Sequence, residues 1–549
     1  MWLFAASPQG QRRIAWVATL IAVAIQILLV GQHAIVRYQS FHADAFDLGN
    51  MDQAVWNTLH GNFFRFTNRG LDWEGPPTRL GIHVEPIILL IAPLYLMHSG
   101  PETLIVLQTI ALGLGAIPLL SLGLRRLPGA PLVAAAIAIT YLISPEVIGE
   151  ALWDFHPVAL ATPLLILAVW ALDQERYIWF IIAGALAAGT KEDVALALIP
   201  MGFYVLIWRR RAILGSAVVV LSILWTYLCF FVILPHFNGG VDGGNNYWYR
   251  YSWMGIDAKH AVETVLTHPW IPVVAVLSDP NRRGYLAMLL RTSGGLGLFA
   301  PVLLIGALPE LAINVLSSHA EQYSGFFQYN AVLGATIPVA AVFGAAVVLQ
   351  IVRHEVPPRA PLLERYSTLH HAPRASALVQ TALRRVKFAM EYLGWWCKNH
   401  LQSLRFPRWL VAPALITWLI AAGIWNITTA DARFINFWNV GAGPTPHQAA
   451  ITRLLRTVPA TATVAATDTI DPHLSDRYTI YLLPDPQSYQ ADYVVFDIAD
   501  ASLASQHLDT LIYDDMITSG HYEITGVVGN VVVLHRTKGP IPIPAAVGS

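Results

Sequence analysis

Apolar runs separated by short polar and basic stretches fill the chain as far as residue 427; beyond it the pattern turns to the strand-like alternation of a water-soluble fold. The runs fall at about Ile14 to Val36, Thr103 to Leu124, Leu132 to Ile143, Pro157 to Leu172, Tyr177 to Ala188, Val194 to Trp208, Ile213 to Leu234, Ala331 to Ile351 and Leu410 to Ile427. Tyr285 to Leu316 is long enough for a hairpin of two short spans turning at Ser293, Gly294 and Gly295. Together they predict about 11 membrane helices. The run His83 to His98 is short for a crossing and is interrupted by Glu85, Pro86 and Pro93, so it reads as a helix lying at the interface.

Charge at the ends of the runs gives them a direction. Arg12 and Arg13, Arg125 and Arg126, Asp173 to Arg176, and Arg209 to Arg211 fall on one side if the early runs alternate. The stretch from Arg353 to Arg408 holds ten Lys or Arg against three Glu. Basic loops stay in the cytoplasm. This predicts an N-terminus inside, a C-terminal domain outside, and a multi-pass protein of the plasma membrane. The organisation is then a transmembrane module over 1–352 with a large first outer loop at 37–101, a basic cytoplasmic loop at 353–408, a last helix at 409–427, and an outer α/β domain at 428–549. In that domain Thr461 to Thr467, Tyr478 to Leu483, Tyr493 to Asp497 and Tyr522 to His535 read as strands, the last turning at Gly529 and Asn530, with a helix over Leu508 to Thr518.

Composition agrees with this α-helical polytopic class. The 549 residues are 55% hydrophobic and 13% charged with a mean hydropathy of +0.50, which excludes one water-soluble domain. A net charge of −1 gives no reason to expect nucleic acid, and the bilayer is the predicted surrounding. Cys229 and Cys397, the only cysteines, exclude a disulfide framework and a thiolate metal cluster.

Three polar stretches share the predicted outer side. The first supplies Asp44, Asp47, Asp52, His83 and Glu85; the second Glu146, Glu150, Asp154 and His156; the third Lys191, Glu192 and Asp193. A later loop adds Glu310, His319 and Glu321. Carboxylates and imidazoles gathered this way can act as a general base toward a hydroxyl or hold a divalent cation, Mg²⁺ or Mn²⁺, through oxygen. At an apolar boundary such a carboxyl is expected to titrate above its ordinary range. The plainer reading of Asp47 is a helix N-cap, and that of Asp154 and His156 a self-bonded loop before Pro157. Gly239 to Asn246 followed by Tyr247, Trp248, Tyr249, Tyr251 and Trp253 reads either as a lid over a sugar or as an interfacial aromatic belt.

Phe46-Asp47-Leu48-Gly49 with Asp52 to Trp56, His83 with Pro86, Pro93 to Tyr95, Asp154-Phe155-His156-Pro157, Lys191-Glu192-Asp193, Pro309-Glu310 with Asn314 to Ser317, and Pro472 to Arg477 together resemble the domain-of-unknown-function 2079 family of bacterial membrane proteins. That family is similar in turn to the C-type glycosyltransferase superfamily, which uses polyprenyl-phosphate-linked sugars. The resemblance implies a membrane glycosyltransferase that inverts at the sugar carbon and serves a glycan, lipid or protein acceptor. Asp47 would be the base or metal-side carboxylate of the first loop, and Asp154 with His156 the second acidic motif, Asp47 and Asp154 being the ligands of any metal. Asp44, His83, Glu85, Lys191 and Glu192 would touch substrate, and Arg282 and Arg283 would grip phosphate. The alternatives are a transporter or lipid flippase, whose ionisable groups tend to lie mid-membrane, and a non-catalytic envelope protein.

Overall fold

The computed structural model describes residues 7–69, 75–238, 247–352, 407–430, 443–498 and 506–539. The Gly239 to Asn246 loop, Cys397 and nearly all of the basic loop lie outside them.

Among the described residues five helices are long and apolar enough to cross a membrane: α1 (Pro8–Gln39), Pro101–Arg126, Ala212–Phe237, Gln328–Val352 and Trp409–Thr428. Two bent pairs, Pro131–Leu142 with Pro145–Leu152 and Trp248–Thr267 with Trp270–Ser278, raise the number to seven if each is one span. Pro157–Asp173, Tyr177–Ala188, Val194–Ile207 and Pro301–Leu316 are shorter apolar helices. Twelve helical residues cover only about 18 Å of a hydrocarbon core ~30 Å thick.

The helices pack closely where side chains are small. A Cβ at Gly123 would come within 2.7 Å of Ala134 Cβ, so Pro131–Leu142 and Pro101–Arg126 meet nearly backbone to backbone. Within Tyr285 to Leu316 the chain breaks where expected. Ser293, Gly294 and Gly295 all have left-handed φ, of 52°, 63° and 72°, and Trp418 of the last helix donates to Gly294 O at 2.8 Å. At one end of the bundle Arg125 and Arg126 pair with Asp173, and Arg209 with Glu175, so three of the basic flanks that charge assigns to one side do meet.

The first outer loop departs from the sequence reading in detail. After α1 comes a five-residue π-turn, Ala45–Gly49, which runs straight into α2 (Asn50–Leu59). The helix expected over His83 to His98 is reduced to Ile88–Ile91 and Ala92–Leu96, because Pro86 and Pro93 each remove a backbone donor. Its Ile88, Ile91 and Tyr95 pack on Leu48, Met51 and Val55, while Leu89, Leu90 and Leu96 stay exposed.

The C-terminal part is a five-stranded sheet of order β2-β1-β3-β5-β4. The strands are β1 (Val464–Ala466), β2 (Ile480–Leu482), β3 (Tyr493–Asp497), β4 (Tyr522–Val528) and β5 (Val531–Arg536). β1 lies parallel between β2 and β3, and β5 runs antiparallel to β3 and β4. The first two are shorter than their apolar runs suggested; the hairpin turns at Gly529 (φ 58°) as expected. A helix over Pro446–Leu455, started by a Thr445/Gln448 capping box, went unread in the sequence.

Candidate functional site

The π-turn carries Asp47. Its N-cap is Asp44, whose side chain accepts from Asp47 N–H at 2.8 Å, so the capping role expected of Asp47 belongs to its neighbour. Relieved of that duty, the Asp47 carboxylate points out of the turn and takes two donors from the second polar stretch. Trp153 Nε1–H donates to Oδ2 at 2.8 Å, and His156 Nε2 lies 3.2 Å from Oδ1. His156 Nδ1 faces Asp154 O at 3.0 Å. Both ring nitrogens thus meet acceptors, which a neutral imidazole cannot satisfy; the arrangement suits an imidazolium beside an ionised Asp47.

Electrostatics follow from these contacts. Burial alone raises Asp47, but His156, Trp153 and Arg79 outweigh it and hold the carboxyl below its ordinary range. The upward shift expected for it is therefore corrected: a cation beside it wins over the apolar boundary. Burial likewise lowers His156, but Asp47 outweighs burial and leaves the imidazole raised. Asp44 is the group driven well up, by burial and then by Asp47, Asp154 and Asp468 around it. By linkage, a lowered Asp47 contributes stability above its unfolded value and loses it as pH falls through the folded one; a raised His156 contributes below its unfolded value and loses it as pH rises through the folded one. The pair is strongest between pH ~4 and ~6.5.

Asp154 takes no place on the open face. It is buried against Arg37 in an ion pair and accepts from Asp44 N–H at 3.2 Å. The Arg37 guanidinium also lies 4.5 Å from the centre of the Trp153 ring, so one cation backs both Asp154 and the indole that donates to Asp47. Oxygens of Asp44, Asp47 and Asp154 come within 4.8 Å of one another. This donor set suits a hard divalent cation in kind.

A cavity of about 670 Å³ opens in front of Asp47 and His156. Its polar wall includes Arg79, His83, Glu85, Lys191, Glu192, Asp193 and Arg250, its aromatic wall Trp153, Tyr247, Trp248 and Tyr329, and its apolar wall Phe230, Leu234, Met254 and Leu316. His83 Nδ1 meets Glu192 Oε1 at 2.9 Å; Arg79 pairs with Glu85 at 2.9 Å and donates to Asn50 at 2.9 Å; Lys191 pairs with Asp193 at 3.3 Å. Burial opposes ionisation of Glu192, but His83 and Lys191 prevail and draw it down to about 2. The cavity therefore brings together Asp47, His83, Glu85, His156, Lys191 and Glu192, with Asp44 and Asp154 behind its wall.

Arg282 and Arg283, expected to grip phosphate, do not reach the cavity. Arg282 pairs with Asp279 at 3.3 Å and donates to Ser317 O, and Arg283 is exposed and donates to Leu277 O. Both sit in the first turns of Pro280–Arg291, where they serve that helix's own ends. Besides Lys191, the wall carries the cations Arg79 and Arg250, which the sequence reading passed over; Arg250 stands inside the Tyr247 to Tyr251 aromatic run, 4.4 Å from the Tyr247 ring centre.

His156→Gln should move the acid limb of any activity that needs ionised Asp47 to higher pH, because burial is then opposed only by Trp153 and Arg79. A pH–rate profile of that variant checks it; an unmoved limb would separate His156 from Asp47.

Apolar helices carrying a cavity of carboxylates, cations and aromatic rings define a multi-pass membrane protein with a polar, aromatic-walled cavity. The chain belongs to the domain-of-unknown-function 2079 family, described as predicted membrane protein (DUF2079), whose profile matches residues 37–365. The Pro472 to Arg477 motif lies beyond the matched part. Among solved structures the chain is similar to ArnT from Cupriavidus metallidurans bound to undecaprenyl phosphate, at 14% identity over 94% of this chain and 97% of that one with a TM-score of 0.48. The apo form of the same protein gives 13% identity over 95% and 98%, with a TM-score of 0.46. No curated protein matches the chain.

Proposed function

We propose that the chain is an inverting membrane glycosyltransferase, moving a sugar from a polyprenyl-phosphate donor to an acceptor on the outer face of the plasma membrane. The composition of this cavity carries the reading: Asp47 with His156 shares it with Arg79, Lys191 and Arg250 and with an aromatic wall. Cations suit a phosphate, aromatic faces suit a sugar ring, and the apolar wall suits the first prenyl units. In the displacement, the acceptor oxygen forms a bond to the anomeric carbon as the bond from that carbon to the phosphate oxygen breaks. The acceptor proton passes to Asp47, and the departing phosphate keeps the electron pair among the cations. A carboxylate held below its ordinary range is a weak base, which suffices when the hydroxyl becomes acidic only as its bond to carbon forms.

The topology that goes with this reading has about 11 crossings, the N-terminus inside and the C-terminal domain outside. The meeting of Arg125, Arg126 and Arg209 around Asp173 and Glu175 at one end of the bundle supports that sidedness. A divalent cation, Mg²⁺ or Mn²⁺, would sit on Asp44, Asp47 and Asp154. Since Asp44 and Asp154 are absent from the cavity wall, it would supply charge balance behind Asp47 and not a contact to the leaving phosphate.

The test is incubation of the purified protein in lipid nanodiscs with candidate polyprenyl-phosphate sugars, measuring release of polyprenyl phosphate. Donor consumption is the expected result. Uptake or lipid scrambling in reconstituted vesicles without any donor consumption would replace this reading by the transporter one.

A further inference from the structure

The C-terminal sheet gives no residue to the cavity, whose described wall is drawn entirely from residues 46–329. Yet the segment that follows its central parallel strand is bound to the first outer loop along the length of the π-turn and α2. Asp468, two residues past β1, accepts from Ala45 N–H at 2.9 Å at the start of the π-turn. Asp471 accepts from Asn68 at 2.7 Å and lies so near Gly49 that a Cβ there would collide with its carboxylate. Ser475 donates to the buried Asp52 at 2.6 Å, and Gln53 donates to Arg477 O at 3.2 Å. His473 is stacked on Tyr38 and Phe41, with ring centres 4.3 and 4.0 Å apart, where α1 ends.

A π-turn is poorly stabilised by itself, and its first amides lack partners within the helix. Here three of them are met by carboxylates: Asp154 for Asp44 N–H, Asp468 for Ala45 N–H, and Asp44 for Asp47 N–H. Asp468 alone comes from outside the membrane module. It is held in turn by the sheet, since Thr467 donates to Val495 O at 3.1 Å and accepts from Asp497 N–H at 3.0 Å.

We infer that the C-terminal domain is the mould of the candidate catalytic turn, with Asp468 as a positioning residue that fixes the direction of the Asp47 carboxylate. This rests on the proposed transferase reading for its kinetic consequence but not for its structural one. The domain acts through geometry, and the side chain it sets is the one a displaced acceptor proton must find.

Asp468→Ala removes the acceptor of Ala45 N–H, and Asp468→Asn keeps it. With a polyprenyl-phosphate sugar as donor, Asp468→Ala should lower kcat by about 10- to 100-fold with KM for the donor unchanged, the loss expected of a misdirected group. Asp468→Asn should restore most of it. Gly49→Ala, which drives the turn off Asp471, should reproduce the kcat loss without touching Asp468, and it tests the docking of the turn on the domain through a second contact if Asp468→Ala does not fold. A second measurement needs no turnover: Trp153 Nε1–H donates to Asp47 Oδ2 at 2.8 Å, so in protein labelled with ¹⁵N-tryptophan its indole signal should shift and exchange faster with solvent in Asp468→Ala and Gly49→Ala and stay as in the wild type in Asp468→Asn. Wild-type kcat together with an unchanged Trp153 indole signal in Asp468→Ala, or an Asn variant as impaired as the Ala one, overturns the inference. No transfer by the wild type, with the Trp153 indole signal moving as stated, overturns the transferase reading and leaves the mould in place.

Discussion

Replacing Asp47 by asparagine is expected to lower sugar transfer by about 10³-fold, within the ~10²–10⁴ range that a positioned proton acceptor contributes. The substitution keeps the size of the side chain and an oxygen for Trp153 Nε1–H, so the protein should fold and bind its lipid donor as before. It removes the charge that holds His156 protonated, and the imidazole should then titrate lower. Turnover of labelled donor and donor binding, measured on the same preparation, check both halves. Transfer retained within tenfold of the wild type would remove Asp47 from the reaction.

Breaking the Arg37 and Asp154 pair is the second large effect. Their side chains are 5% and 1% exposed, so removing one leaves the other charged, buried and without its counter-ion. Such a loss costs ~3–5 kcal/mol, whereas replacing both partners by apolar groups is often nearly neutral. Arg37→Met should therefore lower the thermal midpoint in detergent markedly, and Arg37→Met with Asp154→Leu should recover most of it. Activity should not return with stability. The double variant still lacks the guanidinium over Trp153 and the acceptor of Asp44 N–H, and both help to aim Asp47. A double variant as unstable as the single one would show that the pair is not what holds this corner together.

Much of this was legible in the chain. Hydropathy alone separates the apolar module from the sheet, and turn chemistry at Gly529 and Asn530 locates the hairpin. The meeting of Asp47 with His156 was readable because both lie in polar segments that charge bias puts on one side. What pairs with what was not. Arg37, Arg79 and Arg250 are single cations whose partners lie elsewhere in the chain, and no local pattern separates a guanidinium on a cavity wall from Arg282 or Arg283 at a helix start. The sign of the Asp47 shift failed for the same reason: burial can be guessed from neighbours in sequence, but an imidazolium supplied 109 residues away cannot. The π-turn was hidden too, since Ala45–Gly49 has no periodicity that differs from the first turn of an ordinary helix.

That turn also makes the chemistry sensitive to length in a way composition is not. Each residue of an α-helix advances the side chain by about 100° around the axis, and a π-turn accommodates one residue more than the α-helical path needs. A relative with one position deleted between Asp44 and Asn50 would enter α2 as a plain helix, with its aspartate swung away from the imidazole and every wall residue still present. Counting residues in this short interval should therefore show, where the aspartate itself is kept, whether it still faces the imidazole.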